Sequence, residues 1–277
     1  MAGSSKRPKP AVDPKSESES SGEEGDSEEY HGQEEVMVDF EGRNIEADDY
    51  QAITEFLRQL FLNAQVEISN MADLIIAQYG VGTALKQAFS DEDDDDDMSG
   101  ERPVFGISTL LNLNLQKKAP CVQKFRTLLE ELCDQYADSQ NQAIIKEIMT
   151  DDNVGLLINE RFVNVPPLVS VPMLNSLKGH IDKMKKKHPS YNFAYYIMIC
   201  KTYRSKDSDV EIFCNAEEEY FCEEACASFQ FKVQDALMGN CDVITEDQEA
   251  VRYRKVIIFE ASKLNIILEK VTAVVQP

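Results

Sequence analysis

Phe193-Ala194-Tyr195-Tyr196-Ile197-Met198-Ile199-Cys200 is eight residues long and holds no charge. In an extended chain Tyr195, Ile197 and Ile199 share one side, and Tyr196 and Met198 the other, because strand side chains alternate. A strand apolar on both faces needs cover on both, so helices are expected above and below a sheet. The neighbouring segments supply them. Upstream, Leu156-Leu157-Ile158 reads as a second central strand. Between the two, Leu174, Leu177, Ile181 and Met184 recur at helical spacing and end in Lys183 and Lys185–Lys187. Downstream, Phe229–Val233 alternates, Lys255–Phe259 is another strand, and Leu264, Leu268, Val271 and Val275 close with a helix.

The N-terminal half repeats the pattern. Val36, Val38 and Phe40 alternate, and Tyr50, Ile53, Leu57 and Leu60 follow at helical spacing behind Asp48 and Asp49. Met71–Ile76 reads as a second helix, stopped by Gly80 and Gly82, and Leu85–Phe89 as a short strand. Val104–Leu115 is a strand. Val122, Phe125, Leu129, Leu132 and Tyr136 give a helix with Pro120 in its first turn, and Ile144, Ile145 and Ile148 mark another. Interleaved strands and helices define the class as α/β, one domain over residues 36–275 with a mixed central sheet covered by helices.

Charge is distributed unevenly. The 277 residues include 28 cationic and 50 anionic side chains, a net charge of -22. Residues 1–35 hold -6 of this and Asp91–Asp97 holds -7. The first stretch is expected to be a disordered acidic tail, since 16–29 is only Ser, Glu, Asp and Gly. The second is expected to lie in an exposed loop, 90–102. Such a surplus repels phosphate backbones, which bind through cations that release counterions, and it steers basic proteins inward. Direct nucleic-acid binding is therefore not expected. Neither a membrane-length apolar run nor a secretory leader is read. Lys6-Arg7-Pro8-Lys9-Pro10 is a basic cluster of the nuclear-import kind, and Ser16, Ser20, Ser21 and Ser90 each have an acid three positions on. The seven Cys, odd in number, read as reduced thiols.

No residues are assigned to catalysis, a cofactor or a metal. His31, His180 and His188 are the only His, and no G-x-S-x-G elbow is present. Cys222 and Cys226 lack the second ligand pair that zinc requires. Asp95-x-Asp97-x-Ser99-Gly100 opens like an EF-hand loop, but Gly106 stands where the bidentate Glu belongs. Gly80-Val81-Gly82 falls short of a dinucleotide loop, and Gln78 sits one residue too close to Gly80 for a coenzyme-A loop.

Two segments are not explained by plain packing. In Glu160–Pro167, Phe162 and Val163 offer apolar contacts on a path stiffened by Pro166 and Pro167. In Asn215–Glu224, Glu217, Glu218, Glu219, Glu223 and Glu224 flank Tyr220 and Phe221, which suits capture of a basic peptide with an aromatic anchor. The plain alternative for this second segment is a solvated helix face with two core aromatics.

These segments, Gly155–Met173 and Asn215–Glu224, together with Phe105–Leu113, resemble the signature stretches of the BCCIP family. That family is named for interactions with a breast-cancer susceptibility protein and a cyclin-dependent kinase inhibitor. The resemblance spans about residues 36–275 and includes the acidic tail and acidic loop. It implies an acetyltransferase-like α/β fold without the cofactor loop or activity, in a protein of nucleus and cytoplasm, with the centrosome or spindle pole as a further site. It also implies escort of a basic large-subunit ribosomal protein, cell-cycle arrest, recombination repair and microtubule organisation. Lys201–Glu211 is shorter than the Lys-rich loop other members have there. An acidic, non-enzymatic adaptor or chaperone is the leading expectation; a degenerate acetyltransferase that binds acetyl-coenzyme A is the second.

Overall fold

The computed structural model describes residues 39–62, 64–88, 102–150, 153–205, 209–233 and 250–275. The expected acidic tail, almost all of the acidic loop, Val36–Val38 of the first strand, His31 and Cys241 lie outside them. The chain opens with β1 (Phe40–Arg43), α1 (Tyr50–Phe61), α2 (Ile68–Ala77), β2 (Thr83–Gln87) and β3 (Val104–Asn112). It continues through α3 (Pro120–Tyr136), α4 (Ser139–Thr150), β4 (Val154–Arg161), α5 (Ser170–Lys187) and β5 (Tyr195–Arg204). Then come β6 (Ile212–Phe213), α6 (Glu218–Glu223), β7 (Ala227–Lys232), β8 (Val251–Glu260) and α7 (Leu264–Val275).

All eight strands form one sheet in the order β1-β2-β3-β4-β5-β8-β7, with β6 paired to β5. Among the described residues only β4 and β5 run parallel, joined by α5, and the other pairs are antiparallel. The sheet is mixed, as expected, although mostly antiparallel. The stretch that opened the sequence reading becomes β5, flanked by β4 and by β8 over ten paired positions. Its alternation divides the core. Ile197 and Ile199 pack with α1, α2, α3 and α4, while Tyr196, Met198 and Cys200 pack with α5, α6 and α7. Strands β4 and β8 alternate likewise, with Leu156, Ile158, Val256 and Ile258 on the first side and Leu157, Ile257 and Phe259 on the second. The sequence did not announce β6, whose two residues are too short for a period to register; α6 falls where a helix with two core aromatics was the plain alternative.

Two polar contacts tie distant segments. The buried Arg254 of β8 donates from Nε to the Leu60 carbonyl (3.1 Å) and from Nη2 to that of Gln59 (2.7 Å). It satisfies carbonyls that the end of α1 leaves open, where a cation is also favoured by the helix dipole. At the α2–β2 turn Gly80 and Gly82 take φ of 78° and 110°. A Cβ on Gly82 would stand 2.6 Å from Thr109 Oγ1 and 2.8 Å from Ile45 Cδ1. Gly82→Ala therefore combines backbone strain with overpacking and should cost ~2–4 kcal/mol, measurable by urea denaturation. A cost under about 0.5 kcal/mol would mean that the turn relaxes freely.

Candidate functional site

Strand β4 begins as a buried apolar run and ends in Asn159-Glu160-Arg161, all three still buried. Charges in a closed interior need partners, and α6 with its lead-in provides them. Arg161 grips Glu217 with both guanidinium Nη atoms, Nη2 lying 2.9 Å from Oε2. Asn159 Nδ2 donates to Glu217 Oε1 at 2.9 Å. Asn215 Nδ2 donates to the Asn159 carbonyl (3.1 Å) and to Glu218 Oε1 (2.8 Å). Glu160 pairs with Lys201 of β5, Nζ to Oε2 2.5 Å. Opposite Arg161 in the β3 register stands Gly106, where a Cβ would come within 2.9 Å of the Arg161 Cβ. A side chain there would crowd the arginine.

The two segments singled out from sequence thus meet, but through buried charges. Glu217 and Glu218 are fully buried, so they are not presented to a partner as the acidic reading required. Tyr220 is half-buried against the core of the α5–α7 side and does not project as an anchor. Glu224 accepts from Lys263 and Lys270, and Glu223 from Lys270. Of the five Glu, Glu219 and Glu223 are exposed. Asn159, Glu160, Arg161, Lys201 and Asn215 were not predicted as site residues. The signal was there in Asn-Glu-Arg continuing an apolar strand without a break.

The other segment is exposed. Phe162, Val163 and Leu168 are 39%, 59% and 52% accessible, and Pro166 and Pro167 are exposed beside them. This lip is braced from below. Phe162 N donates to the Phe105 carbonyl at 2.9 Å, and its ring packs on Phe56 at a 5.1 Å centroid separation. Val165 is buried with Leu85 and Met173. An ordered apolar loop loses little conformational freedom when a partner covers it.

Two cation–carboxylate pairs leave Glu218 without a cation of its own. Burial, then the nearby Glu160 and Glu217 carboxylates, push its pKa well above the usual glutamate value of 4.5. Burial likewise pushes the Cys214 thiol up to about 12 and Cys200 well above the usual value, which removes them as nucleophiles at neutral pH. Lys201 is pulled down by burial, but Glu160 outweighs that and leaves it raised. Cys121 and Cys133 are buried, Cys222 is half-buried and Cys226 is exposed, its Sγ donating to the Ile258 carbonyl at 3.3 Å. Among the described residues no three His, Cys, Asp or Glu side chains cluster as a metal site would need. Gln78 turns inward and donates to the Leu110 carbonyl at 2.8 Å, and Gly82 N donates to His180 Nδ1 at 3.3 Å. The loop between them leads into a strand, so it lacks the helix N-terminus that holds a phosphate.

The family model described as BCCIP matches residues 35–225. The chain belongs to the BCCIP family. A BCCIP homolog of Drosophila melanogaster is 35% identical over 87% of this chain and 86% of its own length. The BRCA2 and CDKN1A-interacting protein of Homo sapiens is 31% identical over 86% and 81%. The crystal structure of BCP1 from Saccharomyces cerevisiae superposes with a TM-score of 0.60 at 18% identity, covering 88% of this chain and 92% of that one, a likeness of fold. Within the BCCIP family, the segments that carried the resemblance here form the Arg161–Glu217 junction and the lip above it.

Removing one partner of that junction strands the other charge in the interior. Glu217→Leu should therefore destabilise by ~3–5 kcal/mol, and Arg161→Met combined with it should recover most of the loss. Denaturant midpoints of the three variants check this; equal losses in the single and double variants would deny the coupling. Glu218 gives a pH test. Its folded pKa is raised, so above about pH 4.5 the unfolded chain releases a proton that the folded chain retains. Stability then falls as pH rises, by up to about 1.4 kcal/mol per unit. Glu218→Gln keeps an acceptor for Asn215 and should flatten that decline.

Proposed function

We propose that this chain is a non-enzymatic adaptor of nucleus and cytoplasm that captures a basic protein segment across the Phe162–Leu168 lip. The observation that supports this reading most is an apolar loop left exposed yet braced by Phe56, Phe105 and Val165. Each of its valine, leucine and phenylalanine is about half exposed, so covering them is worth about half of the roughly 1.5–3 kcal/mol that full burial gives. Glu219 and Glu223, on the helix fixed to the same end of β4 by Glu217, supply attraction at a distance. The overall acidity favours the same class of partner.

Relatives are named for interaction with BRCA2 and CDKN1A, and on this reading the corresponding proteins are partners of this chain. Escort of a basic large-subunit ribosomal protein fits an apolar anchor beside exposed carboxylates. Roles in cell-cycle arrest, recombination repair and microtubule organisation would follow from which partner occupies the lip. The acetyl-coenzyme A reading has no supporting feature at Gln78–Gly82.

Val163→Asp with Leu168→Asp changes two exposed side chains. It should weaken binding of a basic ribosomal protein or of the CDKN1A counterpart at least tenfold, about 1.4 kcal/mol, chiefly through faster dissociation. Glu219→Lys with Glu223→Lys should slow association and flatten its salt dependence. Surface plasmon resonance reads both. Unchanged rates in both pairs would remove this end of the sheet from partner binding.

A further inference from the structure

An acidic chain has a basic pole. At the opposite end of the sheet from the lip, about 20 Å along β3 from Gly106 to Asn112, lies a pocket of about 280 Å³. Helix α2 and its end line it through Leu74, Ala77 and Gln78, and two other segments complete its rims. One is the loop after β3, through Leu115 and Gln116; the other is the end of α5, through Met184 and His188. Asn112 pins both. Its Nδ2 donates to the Ser190 carbonyl (2.9 Å) behind α5, and its Oδ1 accepts from Asn114 N (3.1 Å) and Leu115 N (2.8 Å) in the loop.

Six lysines belong to the two segments that carry these rims; none lines the pocket itself, and Lys185 lines a neighbouring one with Asp182. Lys117 and Lys118 follow Gln116, and Lys183, Lys185, Lys186 and Lys187 occupy the end of α5; all six are exposed. Among the described residues none of the six is ion-paired. The pocket lining contains no carboxylate. Of the acids on adjoining elements, Asp182 is bonded to Lys178 at 2.7 Å and Asp73 lies on the outer face of α2. A helix C-terminus accounts for cations in the last turn of α5. It does not account for two more on a separate loop bordering the same pocket, in a chain whose net charge is -22.

We propose that this pole is a second docking site, and that its ligand is a short polypeptide segment rich in Asp and Glu. Charge complementarity selects an anion. The confined extent of the basic pole selects a short one, because a nucleic-acid polymer long enough to gain from counterion release would run onto the acidic remainder of the surface. Gln116 and the Ser190 hydroxyl add hydrogen-bonding groups for a peptide backbone seated between the rims, which Asn112 holds in place. With the lip at the other end, the chain then bridges a basic partner and an acidic one without overlap. The site stands independently of what the lip binds.

The test is fluorescence anisotropy with the full chain at low ionic strength, where exposed charges are screened least. The probes are a labelled dodecapeptide of alternating Asp and Glu and a labelled single-stranded RNA of equal charge. The peptide should bind, with affinity falling as salt is raised. Lys185→Glu/Lys186→Glu/Lys187→Glu should weaken it at least tenfold, and Lys117→Ala/Lys118→Ala severalfold, with unchanged circular dichroism. Glu219→Lys/Glu223→Lys, at the other end, should leave it unchanged. No peptide binding by the unaltered chain, equal binding by the triple variant, or tighter binding of the RNA would each overturn the proposal. So would self-association in sedimentation that the triple variant abolishes, because a second copy would then be the occupant.

Discussion

The pairing of Arg161 with Glu217 governs how this end of the molecule is built. A guanidinium and a carboxylate, both nearly inaccessible, are costly to bring out of water and are tolerated only with each other and with hydrogen-bonding company. Asn159 and Asn215 provide that company. The pair locks the end of β4 to α6, and so sets where the chain leaves the sheet as Phe162. A lip that follows directly on a clamped residue cannot wander. The rigidity of the exposed loop therefore originates beneath it, in a contact that no partner touches.

The same network shows how charge is kept in balance indoors. Two carboxylates have cations of their own; a third, Glu218, has its pKa raised by burial and by its anionic neighbours. Buried polar groups of this kind favour one arrangement of an interior over its alternatives, since any other packing would leave a charge alone. A fixed presentation of the surface above it is what such an interior provides.

The architecture was largely legible because a hydrophobic period is a local signal. Phe193–Cys200 announced a central strand and two helical layers, and Val122–Tyr136 and Leu174–Met184 announced helices that the structure contains. The site was legible only as an address. Glu217 and Glu219 are indistinguishable in a string of acids, yet one is sealed under the sheet and the other faces water. What separates them is a long-range partner 56 residues away, and no window along the chain can display that. The basic pole was hidden for a related reason. In sequence the lysines ending α5 read only as the end of a helical stripe, and the fold brings that end and the loop carrying Lys117 and Lys118 to one pocket.

Arg254 and α1 have a consequence for biosynthesis. The carbonyls of Gln59 and Leu60 wait for a side chain that emerges from the ribosome nearly two hundred residues later, and β5 waits for β8 along most of one edge. The N-terminal half cannot complete itself as it is made. A long interval with an open, strongly apolar strand edge is hazardous in a crowded cell, so nascent copies of this chain are expected to need shielding until the last strand arrives.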